Sequence, residues 1–151
     1  MIGLLQRVSS AGVAVEGRTI ASIGRGLLVL VGVQKEDGEA QAARLLERLL
    51  SYRVFPDDAG KMNLSLRDVK GGLLLVPQFT LAADTHKGTR PGFSTAEAPE
   101  VARAAFAQLA ALARARHSRV ETGEFGAHMK VSLVNDGPVT FWLRTPPVTE
   151  T

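Results

Sequence analysis

Two apolar runs that fail to alternate constrain this chain most: residues 26–33 (GLLVLVGV) and residues 72–76 (GLLLV). A strand with one face in water alternates apolar and polar side chains, so an unbroken apolar run reads as a strand covered on both faces. Residues 26–33 are therefore predicted as a doubly buried strand, and residues 72–76 as a second strongly apolar strand ending at Pro77. Between them, Asp37 is the expected cap of a helix reaching about Arg53. Its residues Ala40, Ala43, Leu46 and Leu50 lie at helical spacing, with Glu47 and Arg48 outward. A second helix is expected from Glu97 to Arg116, with Val101, Ala105, Leu109 and Leu112 as its apolar stripe.

The rest reads as strands and turns. Residues 1–33 hold three or four strands, including the apolar opening, residues 13–15 and residues 19–21 around a Glu16-Gly17 turn. Residues 56–61 are turn-rich, and residues 63–66 form a short extended piece. A long polar loop covers residues 82–96 and holds Asp84, His86, Lys87, Arg90, Pro91 and Gly92; loops of that length in a compact domain carry function or move. Residues 131–134 and 139–143 are two strands around the hinge Asn135-Asp136-Gly137-Pro138, and residues 145–151 are expected to fray. The expected architecture is β-rich α/β: a single-domain β-barrel with two external helices over residues 1–145, followed by a flexible tail at 146–151.

Composition narrows the chemistry. The 151 residues contain no cysteine, which removes disulfides, a thiol nucleophile and cysteine-based zinc or iron–sulfur sites. His86, His117 and His128 are scattered and match no metal-ligand spacing, so neither a metal nor another cofactor is expected. No Gly-x-Ser-x-Gly elbow, phosphate-binding loop or dinucleotide fingerprint occurs, and Gly24-Arg25-Gly26 reads as a turn. No signal peptide or membrane span is legible, which sets the expectation of a cytoplasmic protein with no membrane partner. The formal charge of +3, from 18 basic against 15 acidic side chains, shifts the odds towards nucleic acid only slightly. Arg114, Arg116, His117 and Arg119 cluster at a helix end; a solvated, dipole-complementing end is favoured over an RNA contact.

Two segments stand apart. Pro77-Gln78-Phe79-Thr80-Leu81 places an amide and a hydroxyl where a buried strand meets the long loop. Gln78 and Thr80 either build a site there or merely close the strand with side-chain hydrogen bonds, and the residues alone leave both open. Asn135-Asp136-Gly137-Pro138-Val139-Thr140, read alone, is a hairpin turn.

Taken together they are far more specific. The chain resembles the D-aminoacyl-tRNA deacylase family, whose signatures are Ser-Gln-Phe-Thr-Leu near the middle and Asn-x-Gly-Pro-Val-Thr near the end. The likeness extends to Gln6-Arg7-Val8, to Gly26-Leu27-Leu28-Val29-Leu30, to Gly60-Lys61-Met62-Asn63-Leu64, to Leu81-Ala82-Ala83-Asp84 and to Thr140-Phe141-Trp142-Leu143, covering about residues 1–144. The resemblance implies a homodimeric hydrolase that cleaves the ester of D-aminoacyl-tRNA, and also of glycyl-tRNA, while rejecting L-aminoacyl-tRNA. It implies aminoacyl-tRNA as partner, bound at its acceptor end and terminal adenosine, and no DNA.

By the same resemblance, Gln78 and the backbone amides of Phe79 and Thr80 line the reacting carbonyl. A cis Gly137-Pro138 peptide reaches into the partner subunit's site and excludes L side chains with rigid carbonyl oxygens. Arg7 corresponds to a family arginine that steadies this turn, and Phe125 and Met129 wall the pocket. Thr80 is one candidate nucleophile, but no His or carboxylate adjoins it in sequence, so assistance by the 2′-hydroxyl of the tRNA is preferred. One departure is Pro77 where the family has serine: no hydroxyl acts there, the backbone is stiffer, and chiral strictness is in question. Two other readings stand beside this one. A non-catalytic RNA-binding barrel is disfavoured by the single Tyr and Trp and weak charge, and an editing domain would take an L substrate.

Overall fold

The computed structural model describes residues 1–146. Its first element, β1 (Ile2–Val15), is one strand of 14 residues. The sequence reading treats the apolar opening and residues 13–15 as separate strands. The backbone nonetheless continues, with Ser10 paired to Val134. β2 (Arg18–Ile23) pairs with the second half of β1, and β3 (Gly26–Gly32) with the first half, both antiparallel.

β6 (Gly72–Pro77) then lies parallel to β3, and β7 (Val120–Thr122) parallel to β6. Parallel neighbours need a crossover, and two helices supply them: α1 (Glu39–Ser51) and α3 (Pro99–Arg116), which pack on each other. β4 (Phe55–Pro56), β5 (Met62–Leu64) and the one-turn helix α2 (Leu66–Val69) lie along the first crossover. The last strand, β8 (Lys130–Arg144), pairs along nearly all of β1. The result is a strand-rich mixed α/β fold with a nearly closed, barrel-like sheet.

The two apolar runs behave as their lack of alternation predicts. Leu27, Val29, Val31, Leu73 and Leu75 join one core cluster with Leu45, Leu46, Leu49, Leu50, Phe106 and Leu109 of the helices. Leu28, Leu74 and Val76 point the other way, into a second cluster with Val8, Val13 and Ala21. The sheet is thus apolar on both sides. Where β3 and β6 begin, the backbones nearly touch: a Cβ on Gly26 would sit 1.9 Å from the Gly72 carbonyl oxygen, so only glycine fits.

Several expectations need correction. Gly38, not Asp37, caps α1, and the Gln41 side chain accepts the Gly38 N–H at 2.8 Å. Asp37 is instead buried, accepting from the Met1 amino group at 2.6 Å and the Gln34 N–H at 2.7 Å. Ala40 is exposed, and the buried stripe of α1 runs through Gln41, Ala42, Leu45, Leu46, Leu49 and Leu50. α3 starts at Pro99 and is turned by one residue from the expected face: Val101 is exposed while Ala102, Phe106, Leu109, Ala110 and Ala113 are buried. Alanine repeats at nearly every spacing in α3, so the pattern could not select a face.

Of the extended piece expected at residues 63–66, residues 63 and 64 lie in β5, but Ser65 caps and Leu66 opens helix α2, which was not expected. Ser65 and Asp68 cap it reciprocally, and these hydrogen bonds hold the Asp68 carboxyl below its ordinary value. Among the described residues the fold therefore carries three α-helices. Thr145 does not fray: its N–H donates to Met1 O at 2.8 Å and its hydroxyl to Gln41 O at 3.2 Å. Of the expected tail, residues 147–151 lie outside the described residues. No helix of the described residues is long and apolar enough to cross a membrane.

The Met1 amino group and Asp37 are both fully buried, so removing the carboxylate strips a short ion pair from the interior of the protein. Asp37→Ala should lower stability by about 3–5 kcal/mol in urea unfolding. A loss below about 1 kcal/mol would mean that water reaches the amino group and that this pair does not fasten β1 to the start of α1.

Candidate active site

β6 delivers the first signature to the sheet edge. Its last residue, Pro77, pairs with Val31, and the Gln78 N–H donates to Val31 O at 2.7 Å, tying the segment to β3. The chain then tightens into a 3-10 turn, Phe79–Ala82, closed by Leu81 N–H to Gln78 O and Ala83 N–H to Thr80 O. The amides that open such a turn have no partner within it, so those of Phe79 and Thr80 are available to a ligand. The Gln78 side-chain amide donates to Thr80 Oγ1 at 2.5 Å, so these side chains hold each other at the strand end.

Two cavities adjoin this turn. One, of about 270 Å³, is largely apolar and lined by Pro77, Phe79, Glu97, Pro99, Ala102 and Phe125, with Gly126 at its edge. The other, of about 320 Å³, lies among Val76–Phe79, residues 126–129 and Val131. Phe125 thus walls one and Met129 the other. Gly123 makes this possible, since a Cβ there would meet Met129 Sδ at 2.8 Å and Pro77 Cδ at 3.4 Å. Pro77, in the place of the family serine, offers ring carbons to these walls. Glu97 and His128 are titratable cavity-lining groups that sequence reasoning missed. Glu97 was read as the start of a helix and His128 as a scattered histidine, and nothing in their spacing marked them.

The second signature is built differently. The two expected strands around Gly137-Pro138 are one strand, β8, whose halves both pair with β1: residues 130–135 against 8–14, and residues 140–144 against 2–6. The register breaks between Gln6 and Val8, where five steps along β8 oppose two along β1. Residues 136–139 are therefore an outward bulge and not a hairpin turn. Its Gly137-Pro138 peptide is cis. Gly137 has φ +151, and a Cβ on it would lie 2.7 Å from Val139 Cγ2.

Side chains hold this bulge from both ends. Asn135 accepts the Val139 N–H at 2.7 Å and donates to Val139 O at 3.3 Å and Thr140 Oγ1 at 3.0 Å. Arg7 donates to Asp136 O at 2.8 Å and to Val54 O at 2.6 Å, bridging the bulge to the chain after α1.

The chain does not bring its two signatures together. Val131 lines a cavity beside Gln78, but Gly137 lies six residues further along β8, past the end of the ladder that residues 130–135 make with β1. Gly137 and Pro138 line neither cavity. A cavity of about 490 Å³ lies near the start of β6, lined in part by Arg25, Lys70 and Arg119, and contains no residue of either signature. Among the described residues, no three His, Asp or Glu side chains converge as metal ligands would.

Comparison with known proteins agrees with this geometry. The model of a family described as D-Tyr-tRNA(Tyr) deacylase matches residues 4–144. The D-aminoacyl-tRNA deacylase of Thioalkalivibrio sulfidiphilus is 65% identical, over 97% of this chain and 99% of the relative. That of Nitrosococcus oceani is 62% identical, over 100% and 97%. A solved structure titled c-Myc DNA Unwinding Element Binding Protein superposes with a TM-score of 0.93 at 37% identity, covering 97% of this chain and 99% of that one. One titled as a probable eukaryotic D-amino acid tRNA deacylase shares the fold, with a TM-score of 0.82 at 18% identity over 95% and 98%. With residues 4–144 matched by the family model and relatives more than 60% identical over nearly the whole chain, the chain belongs to the D-Tyr-tRNA(Tyr) deacylase family.

Proposed function

We propose that this protein hydrolyses the ester joining a D-amino acid to the terminal adenosine of tRNA, acting as a homodimer whose partner subunit completes each site. The observation that carries this reading is the Gln78–Thr80 turn at the mouth of two cavities, in a chain of the deacylase family. Water adds across the acyl C–O bond and releases the amino acid and the ribose hydroxyl. The Phe79 and Thr80 amides face the carbonyl oxygen as charge develops on it, and preorganised donors of this kind are worth about 10²–10³ in rate. The substrate class places the work where aminoacyl-tRNA is used, in the cytoplasm.

Thr80 is poorly equipped as the attacking group. Its oxygen already accepts a hydrogen bond from Gln78, and an amide N–H cannot remove the hydroxyl proton. The 2′-hydroxyl of the terminal ribose, adjacent to the ester, is the better assistant, with the protein supplying position and electrostatics.

The exposed apolar side chains of β8 support the dimer. Val134 and Trp142 are each more than half exposed, Leu133 and Phe141 more than a third, and all four lie on this long strand, whose partner in the sheet is β1. Several large apolar side chains exposed along one strand favour an interface there. The absence of Gly137 and Pro138 from both cavities of their own chain also fits a bulge that serves a neighbouring subunit's site. There the carbonyls of Gly137 and Pro138, held by Asn135 and Arg7, meet the substrate's ammonium group and leave no room for an L side chain. Glycine has no side chain to exclude, so glycyl-tRNA is also a substrate.

Mass measurement in solution should give a particle twice the 16.1 kDa of the chain, and Trp142→Asp should yield an inactive monomer. A fully active monomer would remove the shared site. In single-turnover assays, Thr80→Ala should keep activity within about tenfold, whereas tRNA ending in 2′-deoxyadenosine should be cleaved at least ~100-fold more slowly. The reverse pattern would make Thr80 the nucleophile. Asn135→Ala loses three hydrogen bonds of about 1 kcal/mol each and should cut the D-over-L rate ratio at least ~10-fold in a dimer that still folds. An unchanged ratio would show that the bulge does not read chirality.

A further inference from the structure

We infer that Phe79 and Phe93, together with Lys87 and Arg90, form a landing surface for the single-stranded 3′ end of tRNA just before its terminal adenosine: the rings stack on the penultimate base, and the cations meet its phosphates. This rests on the deacylase reading and extends it to a part of the substrate outside the reacting ester. The two rings are in contact, with centroids 5.4 Å apart, yet Phe79 is 62% and Phe93 44% exposed. The other exposed aromatic rings, Phe141 and Trp142, lie on β8, where a second subunit covers them in the proposed dimer. The Phe79–Phe93 pair is an aromatic step at the rim of the cavity that Phe79 itself lines.

The loop beside this step is built. Its base is closed by paired hydrogen bonds between Asp84 and Gly92 at 2.7 and 2.9 Å. Below it, Thr95 Oγ1 donates to Ala82 O at 2.6 Å, and the Lys35 N–H donates to Thr95 O at 3.1 Å. Asp84 spends its carboxylate on the His86 N–H, at 2.9 Å. Gly88 turns the tip with φ +69. Lys87 and Arg90 therefore project from a pinned hairpin-like loop, exposed and with no carboxylate paired to either among the described residues.

An exposed ring pair with free cations beside it is what a flexible, unpaired nucleotide chain requires. Bases have π faces that stack on aromatic rings whatever their sequence, and the backbone carries one negative charge per residue. The charge is complementary, and the 3′ end of tRNA is the unpaired segment that must pass this rim if the terminal adenosine sits beside Gln78. A ring pair kept only for packing would be buried instead.

The test compares two substrates, D-tyrosyl-tRNA and D-tyrosyl-adenosine, which lacks the penultimate nucleotide. Phe93→Ala should raise KM for D-tyrosyl-tRNA roughly tenfold or more, the scale of one lost base stack, and leave D-tyrosyl-adenosine unchanged. Phe93→Tyr keeps a ring and should behave as wild type with both. The double variant Lys87→Ala/Arg90→Ala should flatten the log-log salt dependence of tRNA binding by about 1.4, from ~0.7 per phosphate contact on a single strand. Equal effects of Phe93→Ala on both substrates, or none on tRNA, would overturn the inference, as would an unchanged salt slope. Failure of the wild type to cleave either substrate would overturn the deacylase reading itself, and the inference with it.

Discussion

The parallel pairing of β3 with β6 is the contact on which the rest of the molecule hangs. It begins at two glycines whose backbones approach so closely that no side chain fits between them, and it ends at Val31 and Pro77. Because both strands are apolar on both faces, one side needs the helices and the other needs the curled half of β1 with β2 and the start of β8. The close start sets the register, and the register decides where β6 stops. Gln78 is the first residue past that stop, so the position of the turn at 79–82 follows from packing at the opposite end of the strand.

β1 acts as the second organiser. One unbroken strand pairs with β3 and β2 along one edge and with both halves of β8 along the other. Because both halves of β8 pair with this one strand, the surplus residues between them leave the ladder, and they fall where Arg7 can reach Asp136 and Val54. The bulge is therefore held by side chains from two directions while its own face stays open. In a lone subunit this would be an exposed apolar edge. In the proposed dimer the same exposure becomes the means by which a rigid backbone segment enters a neighbour's site.

The chemistry proposed here relies on placement more than on titration. Gln78 and Thr80 satisfy each other, and in the proposed reaction the groups that face the carbonyl are backbone amides at the strand end. Such donors need no protonation change, and their orientation is settled on folding instead of during the reaction. A small domain without cysteine suits this kind of catalysis. In the inferred landing surface, recognition of the rest of the substrate falls to the exposed Phe79–Phe93 pair at the cavity rim and to Lys87 and Arg90 on the adjoining loop.

Much of this was legible in the amino-acid sequence. The lack of alternation at 26–33 determined a strand covered on both faces, the apolar run at 72–76 a second strand, and the segments at 77–81 and 135–140 together the family. Local patterns suffice for these because period and motif spacing are properties of the chain itself. The alanine-rich α3 had no unique apolar face to read, and its orientation was decided by what Phe106 and Leu109 could pack against. Asp37 looked like a helix cap because caps are read from neighbours in sequence, while its actual partner is the amino group of Met1, 36 residues away. Gly137-Pro138 looked like a hairpin because the sequence cannot say that both flanking segments pair with β1 instead of with each other. Nor could it say that Phe79 and Phe93 touch, or that Glu97 and His128 line the cavities at 77–79. Each of these is a contact between distant residues, and only closure of the tertiary fold selects it.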